Sequence, residues 1–137
     1  MCELFGEEGN RLREAGAEYG AATGRPRRVG GFDVVASRYG VQMQGATELA
    51  LTKLDVLSYM KEIPVCTQYE VNGEKTDDFP FTAVIDEAKP VLTTVPGWGC
   101  DISGVRKYED LPQAARDYVE FIEKSIGVHI SYVSVGA

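Results

Sequence analysis

The sequence predicts an α/β fold, with α+β as the other class compatible with the same mixture of helices and strands. Three observations point this way: an amphipathic helix pattern near the C-terminus, an Asn-Gly turn between two strand-like runs, and short apolar runs between helical segments. The 137 residues are 44% hydrophobic and 26% charged, as expected for one ordinary globular domain. We therefore expect residues 1–137 to form a single domain.

The N-terminal third is predicted to hold two helices. Glu8 to Tyr19 carries charges along one side and is followed by Gly20, which suits the end of a helix. Asp33 is a favourable N-cap for a second helix that runs to about Gln44 and stops at Gly45. Its predicted apolar stripe consists of Val34, Val35, Tyr39 and Val41.

Four extended segments are predicted in the middle of the chain. Thr47 to Leu51 is short and apolar and is interpreted as a buried strand. Ile63 to Tyr69 and Lys75 to Phe81 flank Asn72-Gly73, a favoured hairpin turn. Pro90 to Val95 is predicted to be a further extended segment.

The C-terminal segment carries the clearest helix pattern, Pro112 to Ile126, with proline in its first turn and Gly127 as its cap. Its predicted buried face consists of Ala115, Tyr118, Val119, Ile122 and Ile126. His129 to Val133 is predicted to be a strand that leads into Ser134-Val135-Gly136.

Charge and cysteine content narrow the function classes. A net charge of −7 argues against general binding to nucleic acid or to anionic membranes. No apolar run approaches the ~20 residues of a membrane span, and the N-terminus lacks a signal-peptide pattern. Three widely spaced cysteines fit a reducing, cytoplasmic setting, and a zinc site is not expected from a chain with one histidine and no Cys-x-x-Cys.

A glycine- and arginine-rich stretch, Gly20 to Arg28, is the first candidate binding segment. Its glycines allow backbone N–H groups to converge on an anion, and its three arginines supply forked donors that match carboxylate and phosphate. This local positive charge in an acidic chain predicts a small ligand with several negative oxygens. The alternative is a solvated surface turn with accidental charge.

A second candidate, Thr52-Lys53-Leu54-Asp55, follows a predicted strand, where α/β proteins commonly place ligand contacts. A carboxylate such as that of Asp55 can accept from both the ring N1–H and the exocyclic amino group of guanine. The stem of Lys53 can lie along the base while its ammonium stays in water. The alternative is that Lys53 and Asp55 are ordinary charges at a strand end.

Ser134-Val135-Gly136 follows the last predicted strand and offers a hydroxyl, exposed amides and little side-chain bulk. That is compatible with closing over a base, and equally compatible with an uneventful chain end.

Taken in order, these segments resemble adenylosuccinate synthetase. The resemblance covers nearly the whole chain but only the C-terminal third of the family's usual length, so we expect this chain to be the C-terminal part of a larger mixed-sheet, GTP-binding enzyme fold. The matching segments are Glu18 to Arg28, Phe32-Asp33, Leu51 to Leu57, Pro96-Gly97-Trp98, Asp101 to Val105, Leu111-Pro112 and Ser134 to Gly136.

The resemblance implies a ligase that joins IMP to L-aspartate with GTP and magnesium on the route to AMP, as a cytoplasmic homodimer. It implies that the loop binds aspartate, that Arg25 also contacts IMP, and that Arg27 reaches GTP. The implied aspartate-loop residues are Ala21, Ala22, Thr23, Gly24, Arg25, Pro26 and Arg27. The implied GTP-binding residues are Arg27, Lys53, Leu54, Asp55, Ser134, Val135 and Gly136.

The sequence also departs from the family pattern. Ala22 stands where threonine is frequent, and Gly31 where tryptophan is usual. No Gly-x-x-x-x-Gly-Lys segment is present, and the resemblance places the catalytic residues and the magnesium ligands in the part of the family that this chain does not match. We therefore expect this chain alone to be inactive. The alternatives are a non-catalytic module that binds a ligand or a partner, and nucleic-acid binding through Arg25 to Arg28.

Overall fold

The structure, a computed structural model that describes residues 2–136, contains three α-helices and six β-strands in that range. The helices are α1 (Gly6–Ala15), α2 (Val34–Gln44) and α3 (Gln113–Ile126). The strands are β1 (Phe32–Asp33), β2 (Glu48–Leu51), β3 (Glu62–Val71), β4 (Glu74–Thr76), β5 (Lys89–Pro96) and β6 (His129–Val133). Short 3₁₀ helices cover Leu54–Tyr59, Ile85–Glu87 and Tyr108–Asp110.

The strands form one mixed sheet and one parallel pair. In the mixed sheet, β3 pairs in parallel with β1 and antiparallel with β4 and β5. The second sheet consists of β2 and β6, which run parallel. The prediction of an α/β chain with a mixed sheet, flanking helices and a β-hairpin is therefore confirmed.

Helix α3 supplies much of the core. All five side chains of its predicted apolar face are buried, among them Ile122, which has no exposed surface. Gly127 ends the helix in the left-handed conformation (φ 81°), where glycine has no Cβ to clash, and its N–H donates to the Glu123 carbonyl. The same core cluster includes Val34, Val65 and Ile130. No helix in residues 2–136 has the length and apolar character needed to cross a bilayer.

Helix α1 is shorter than predicted. It ends at Ala15, where the Gly16 N–H donates to the Leu12 carbonyl at 3.0 Å and the Ala17 N–H donates to the Glu14 carbonyl at 3.1 Å. Ala17 then adopts a positive φ of 49°, which no helix can continue. The prediction that the helix extends to Tyr19 was wrong, because Glu18 and Tyr19 already belong to an extended segment that pairs with residues 26–27.

Helix α2 starts and stops where the sequence predicts. The Asp33 carboxylate accepts a hydrogen bond of 3.0 Å from the Ala36 N–H, and Gly45 ends the helix with φ 63°. Val34 and Val35 are buried. Tyr39, in contrast, is exposed and stacks on Phe79, so the predicted apolar stripe is narrower than expected.

The predicted hairpin is confirmed at its turn and shortened in its second strand. Asn72 and Gly73 both have positive φ, as a two-residue hairpin turn requires. Strand β4 ends at Thr76 instead of Phe81. Asp77 and Asp78 follow, and short carboxylate side chains favour turns over strand pairing.

Strand β2 is only half buried, so its interpretation as a buried strand was wrong. Its side chains point alternately to opposite faces of the sheet, and only the face that carries Leu49 and Leu51 packs against the core. The predicted bounds of β6 are confirmed. Its first residues are held by α3: Glu123 Oε2 accepts from the Ile130 N–H at 2.7 Å and lies 2.7 Å from His129 Nδ1.

We expect Ile122→Ala to lower the free energy of unfolding by about 2–5 kcal/mol, since it deletes a fully buried side chain at the centre of the core. Urea denaturation measures the loss. Glu120→Ala on the exposed face of the same helix is the control and should change stability by no more than about 0.5 kcal/mol. Equal effects of the two changes would contradict this assignment of the core.

Glu123 predicts a pH dependence of stability. The Ile130 N–H and then His129 hold the pKa of its carboxyl below the ordinary 4.5. Its charge therefore stabilises the fold above about pH 4.5, and this contribution disappears as the pH falls through the lower folded-state value. We expect the urea midpoints of wild type and Glu123→Gln to differ at pH 7 and to converge in acid. A difference that stays constant down to pH 3 would contradict the assignment.

Candidate functional site

The carboxyl ends of β2 and β6 meet at one edge of their sheet, since the strands are parallel and Leu51 lies opposite Val133. Two backbone hydrogen bonds connect the segments that follow these strands. The Ser134 N–H donates to the Leu51 carbonyl at 2.8 Å, and the Leu54 N–H donates to the Ser134 carbonyl at 2.9 Å. The two segments that the sequence singled out, residues 52–55 and 134–136, are therefore neighbours.

Asp55 lies in the first turn of the 3₁₀ helix that follows β2. Its Oδ1 atom is buried and has no hydrogen-bond partner within residues 2–136. Gly136 lies directly beside this carboxylate: a Cβ built on that glycine would be 3.2 Å from Asp55 Oδ2. An unsatisfied buried acceptor costs on the order of 1–3 kcal/mol, so a ligand donor placed here would be bound favourably.

Lys53 turns the chain from β2 into that 3₁₀ helix. It adopts the left-handed conformation (φ 60°, ψ 37°), which is uncommon for a residue with a side chain. Its ammonium donates to the Gly16 carbonyl at 2.8 Å and to Glu18 Oε1 at 2.5 Å. Lys53 therefore links the edge of the β2–β6 sheet to the segment that follows α1.

The glycine- and arginine-rich loop projects from a short hairpin-like stem. Tyr19 and Pro26 form an isolated antiparallel bridge, and the Arg27 N–H donates to the Glu18 carbonyl at 3.0 Å. Above the stem, the Gly20 N–H donates to the Arg25 carbonyl, and Gly24 adopts φ 63°. The residues from Ala21 to Arg28 are all exposed, so the loop presents itself to solvent.

The three arginines do not act as one free cluster. Arg27 pairs with Glu18 Oε2 at 2.9 Å, and Arg28 pairs with Glu3 Oε2 at 2.6 Å. Arg25 forms no side-chain hydrogen bond or ion pair with any described residue. In the ligand-free chain, Arg25 is therefore the loop guanidinium that is available without breaking an internal contact.

Glu18 is the residue that sequence reasoning missed. One oxygen of its carboxylate pairs with the Lys53 ammonium and the other with the Arg27 guanidinium. Both cations lower the pKa of this carboxyl below its ordinary value, and Lys53 has the larger effect. The available signal was its position, since Glu18 opens the segment Glu18-Tyr19-Gly20 that leads into the loop.

A cleft of about 270 Å³ lies against the stem of the loop and reaches Glu18, Arg28, Thr52 and Lys53. It does not reach Asp55 or Gly136, so it adjoins the predicted base site without containing it. Gly31 also lines the cleft. A Cβ there would lie 2.3 Å from the Pro64 carbonyl oxygen, so the close approach of this backbone to β3 requires glycine.

No group of three or more His, Cys, Asp or Glu side chains with suitable geometry occurs between residues 2 and 136.

Fold and site together define an α/β chain in which the loops after two parallel strands meet at one polar edge, a common location for binding sites in this class. The family model described as adenylosuccinate synthetase matches residues 1–137. This chain therefore belongs to the adenylosuccinate synthetase family.

Individual relatives agree with the family model. The chain is 52% identical over 135 residues to the adenylosuccinate synthetase of Bifidobacterium adolescentis and 50% identical over 136 residues to the chloroplastic enzyme of Zea mays. Each match covers 98% of this chain, but only 32% and 28% of the respective relatives. A solved structure of fully ligated adenylosuccinate synthetase from Plasmodium falciparum matches with a TM-score of 0.92 at 36% identity, covering 98% of this chain and 33% of that one. The chain thus spans about a third of these relatives.

Proposed function

We propose that this chain is the C-terminal domain of an adenylosuccinate synthetase and recognises guanine nucleotide and L-aspartate for the whole enzyme. That enzyme joins IMP to L-aspartate with the consumption of GTP, a ligase step in purine biosynthesis. GTP first phosphorylates the 6-oxygen of IMP, and the amine of aspartate then displaces that phosphate. The observation that carries the proposal is the buried Asp55 Oδ1, which lies beside Gly136 and has no hydrogen-bond partner within residues 2–136.

Asp55 suits the edge of guanine. The guanine N1–H and exocyclic amino group are two adjacent donors, and a carboxylate accepts both; each charge-assisted bond contributes on the order of 1.5–3 kcal/mol. Adenine has an acceptor at N1 and no amino group at C2, so it would leave the carboxylate unpaired. The proposed guanine site is completed by Lys53, Leu54, Ser134, Val135 and Gly136. Arg27 is proposed to reach the GTP side of the site.

The loop from Ala21 to Arg27 suits a dicarboxylate. It presents backbone amides, the Thr23 hydroxyl and the unpaired guanidinium of Arg25, whose fork matches a carboxylate. We propose that this loop closes over L-aspartate and that Arg25 also contacts IMP. Ala22 offers no hydroxyl, so aspartate binds here with one side-chain donor fewer than in relatives that carry threonine.

The proposal extends to the whole protein: a cytoplasmic homodimer that uses Mg²⁺ with GTP. We assign the magnesium ligands and the catalytic residues to the part of the family that this chain does not match.

Titration calorimetry of this chain with GDP, IDP and ADP tests base recognition. IDP keeps the N1–H and lacks the amino group, so we expect affinity to fall from GDP to IDP to ADP, by about tenfold or more at each lost charge-assisted bond. Equal affinity for GDP and ADP, or no binding of either, would refute guanine recognition by this chain.

Asp55→Asn should remove the preference for GDP over ADP, because an amide has only one acceptor oxygen in place of two. Asp86→Asn, in an exposed 3₁₀ helix, is the matched control and should bind GDP like the wild type. A variant at Asp55 that keeps full selectivity would place the base elsewhere.

An assay of adenylosuccinate formation from IMP, L-aspartate and GTP should give no product with this chain alone. Phosphoryl transfer needs catalytic groups that we assign to the unmatched part of the family. Turnover that copurifies with the chain and is lost in Asp55→Asn would show that the assignment is wrong.

A further inference from the structure

Glu18 joins the two parts of the proposed site physically. Its Oε1 lies 2.5 Å from the Lys53 ammonium and its Oε2 lies 2.9 Å from the Arg27 guanidinium. The Glu18 carbonyl also accepts from the Arg27 N–H at 3.0 Å, so both the side chain and the backbone of Glu18 fix the stem of the loop. One residue thus contacts the loop on one side and the guanine segment on the other.

The carboxylate of Glu18 is well placed to hold both cations at once. The Glu18 side chain is less exposed (22%) than those of Lys53 (52%) and Arg27 (55%). The carboxylate is therefore the more restricted partner, and the two longer cationic side chains extend to reach it. Lys53 has a second anchor in the Gly16 carbonyl at 2.8 Å. These two contacts fix the position of the ammonium. They therefore restrict the positions that the aliphatic part of Lys53 can take beside a base.

We propose that Glu18 is a positioning residue that couples the loop to the nucleotide site: by sharing its two oxygens between Arg27 and Lys53, it makes the order of the loop depend on the state of Lys53, and the reverse. This inference rests on the proposed function for the identity of the two ligands, but the coupling itself is a property of the ligand-free chain. A nucleotide that binds Lys53 or Arg27 weakens the ion pair of that side chain with Glu18. The ion pair of Glu18 with the other cation then changes in strength.

The ligand-free test is hydrogen–deuterium exchange at the amides of Gly20, Gly24 and Arg27, which close the stem and the loop. Lys53→Met keeps the aliphatic stem and removes the ammonium. We expect this change, made far from the loop in sequence, to raise exchange at these amides about 1.5- to 5-fold, the range expected for losing one exposed ion pair. Glu18→Gln should give at least the same increase.

Glu7→Gln is the matched control, because Glu7 is an exposed carboxylate in the first turn of α1 and forms no side-chain hydrogen bond or ion pair within residues 2–136. It should leave loop exchange unchanged. Loop exchange that does not respond to Lys53→Met, or that responds equally to Glu7→Gln, would overturn the coupling. Urea midpoints measured in parallel separate a local effect from a general loss of stability.

A double-mutant cycle on GDP affinity then tests the direction of action. Glu18→Gln alone should weaken GDP binding about three- to tenfold, and should cost nothing further in the Lys53→Met background. Losses that multiply would show that Glu18 does not act through Lys53. If the wild-type chain binds no GDP, the proposed function fails, while the exchange experiment still decides whether Glu18 couples the two segments.

Discussion

The parallel pairing of β2 with β6 is the interaction on which the rest of the site depends. A parallel ladder places both carboxyl ends at the same edge, and the Ser134 backbone then bonds to Leu51 on one side of the connection and to Leu54 on the other. Asp55 and Gly136 are 81 positions apart in the printed sequence. They are adjacent because the strand pairing and these two backbone hydrogen bonds bring their segments together. The buried carboxylate oxygen at this junction is a direct consequence of the pairing.

The pairing is itself held by the helical layer. Helix α3 buries its apolar face in the main core and, through Glu123, fixes the first residues of β6. Gly127 makes the tight reversal between them possible. Burial in the core therefore determines where β6 begins, and the length of β6 determines where Ser134 emerges at the sheet edge.

Ion pairs organise the glycine- and arginine-rich loop, which is the second candidate part of the site. An acidic chain holds three arginines within four positions, and the structure neutralises two of them internally, with Glu18 and Glu3. This arrangement leaves Arg25 without a side-chain hydrogen bond or ion pair among residues 2–136. It also gives Glu18 a role that a search for cationic and aromatic binding residues does not detect, since its own partners are cations within the same chain.

Local chemistry was sufficient to predict several features from the sequence. The helix over residues 113–126 with its five buried positions, the Asp33 cap, the Asn72-Gly73 turn and the strand over residues 129–133 depend on neighbours within a few residues. Prediction failed where distant contacts decide. Helix α1 ends early because Glu18 and Tyr19 pair with the far side of the loop, and β2 is half exposed because only its face with Leu49 and Leu51 packs on the core. The sequence by itself determined how these segments fold locally, and its assignment of the site residues stays a prediction. Only the tertiary structure decided which of those residues meet, because adjacency at a sheet edge and the sharing of one carboxylate between two cations are set by long-range pairing that no local pattern encodes.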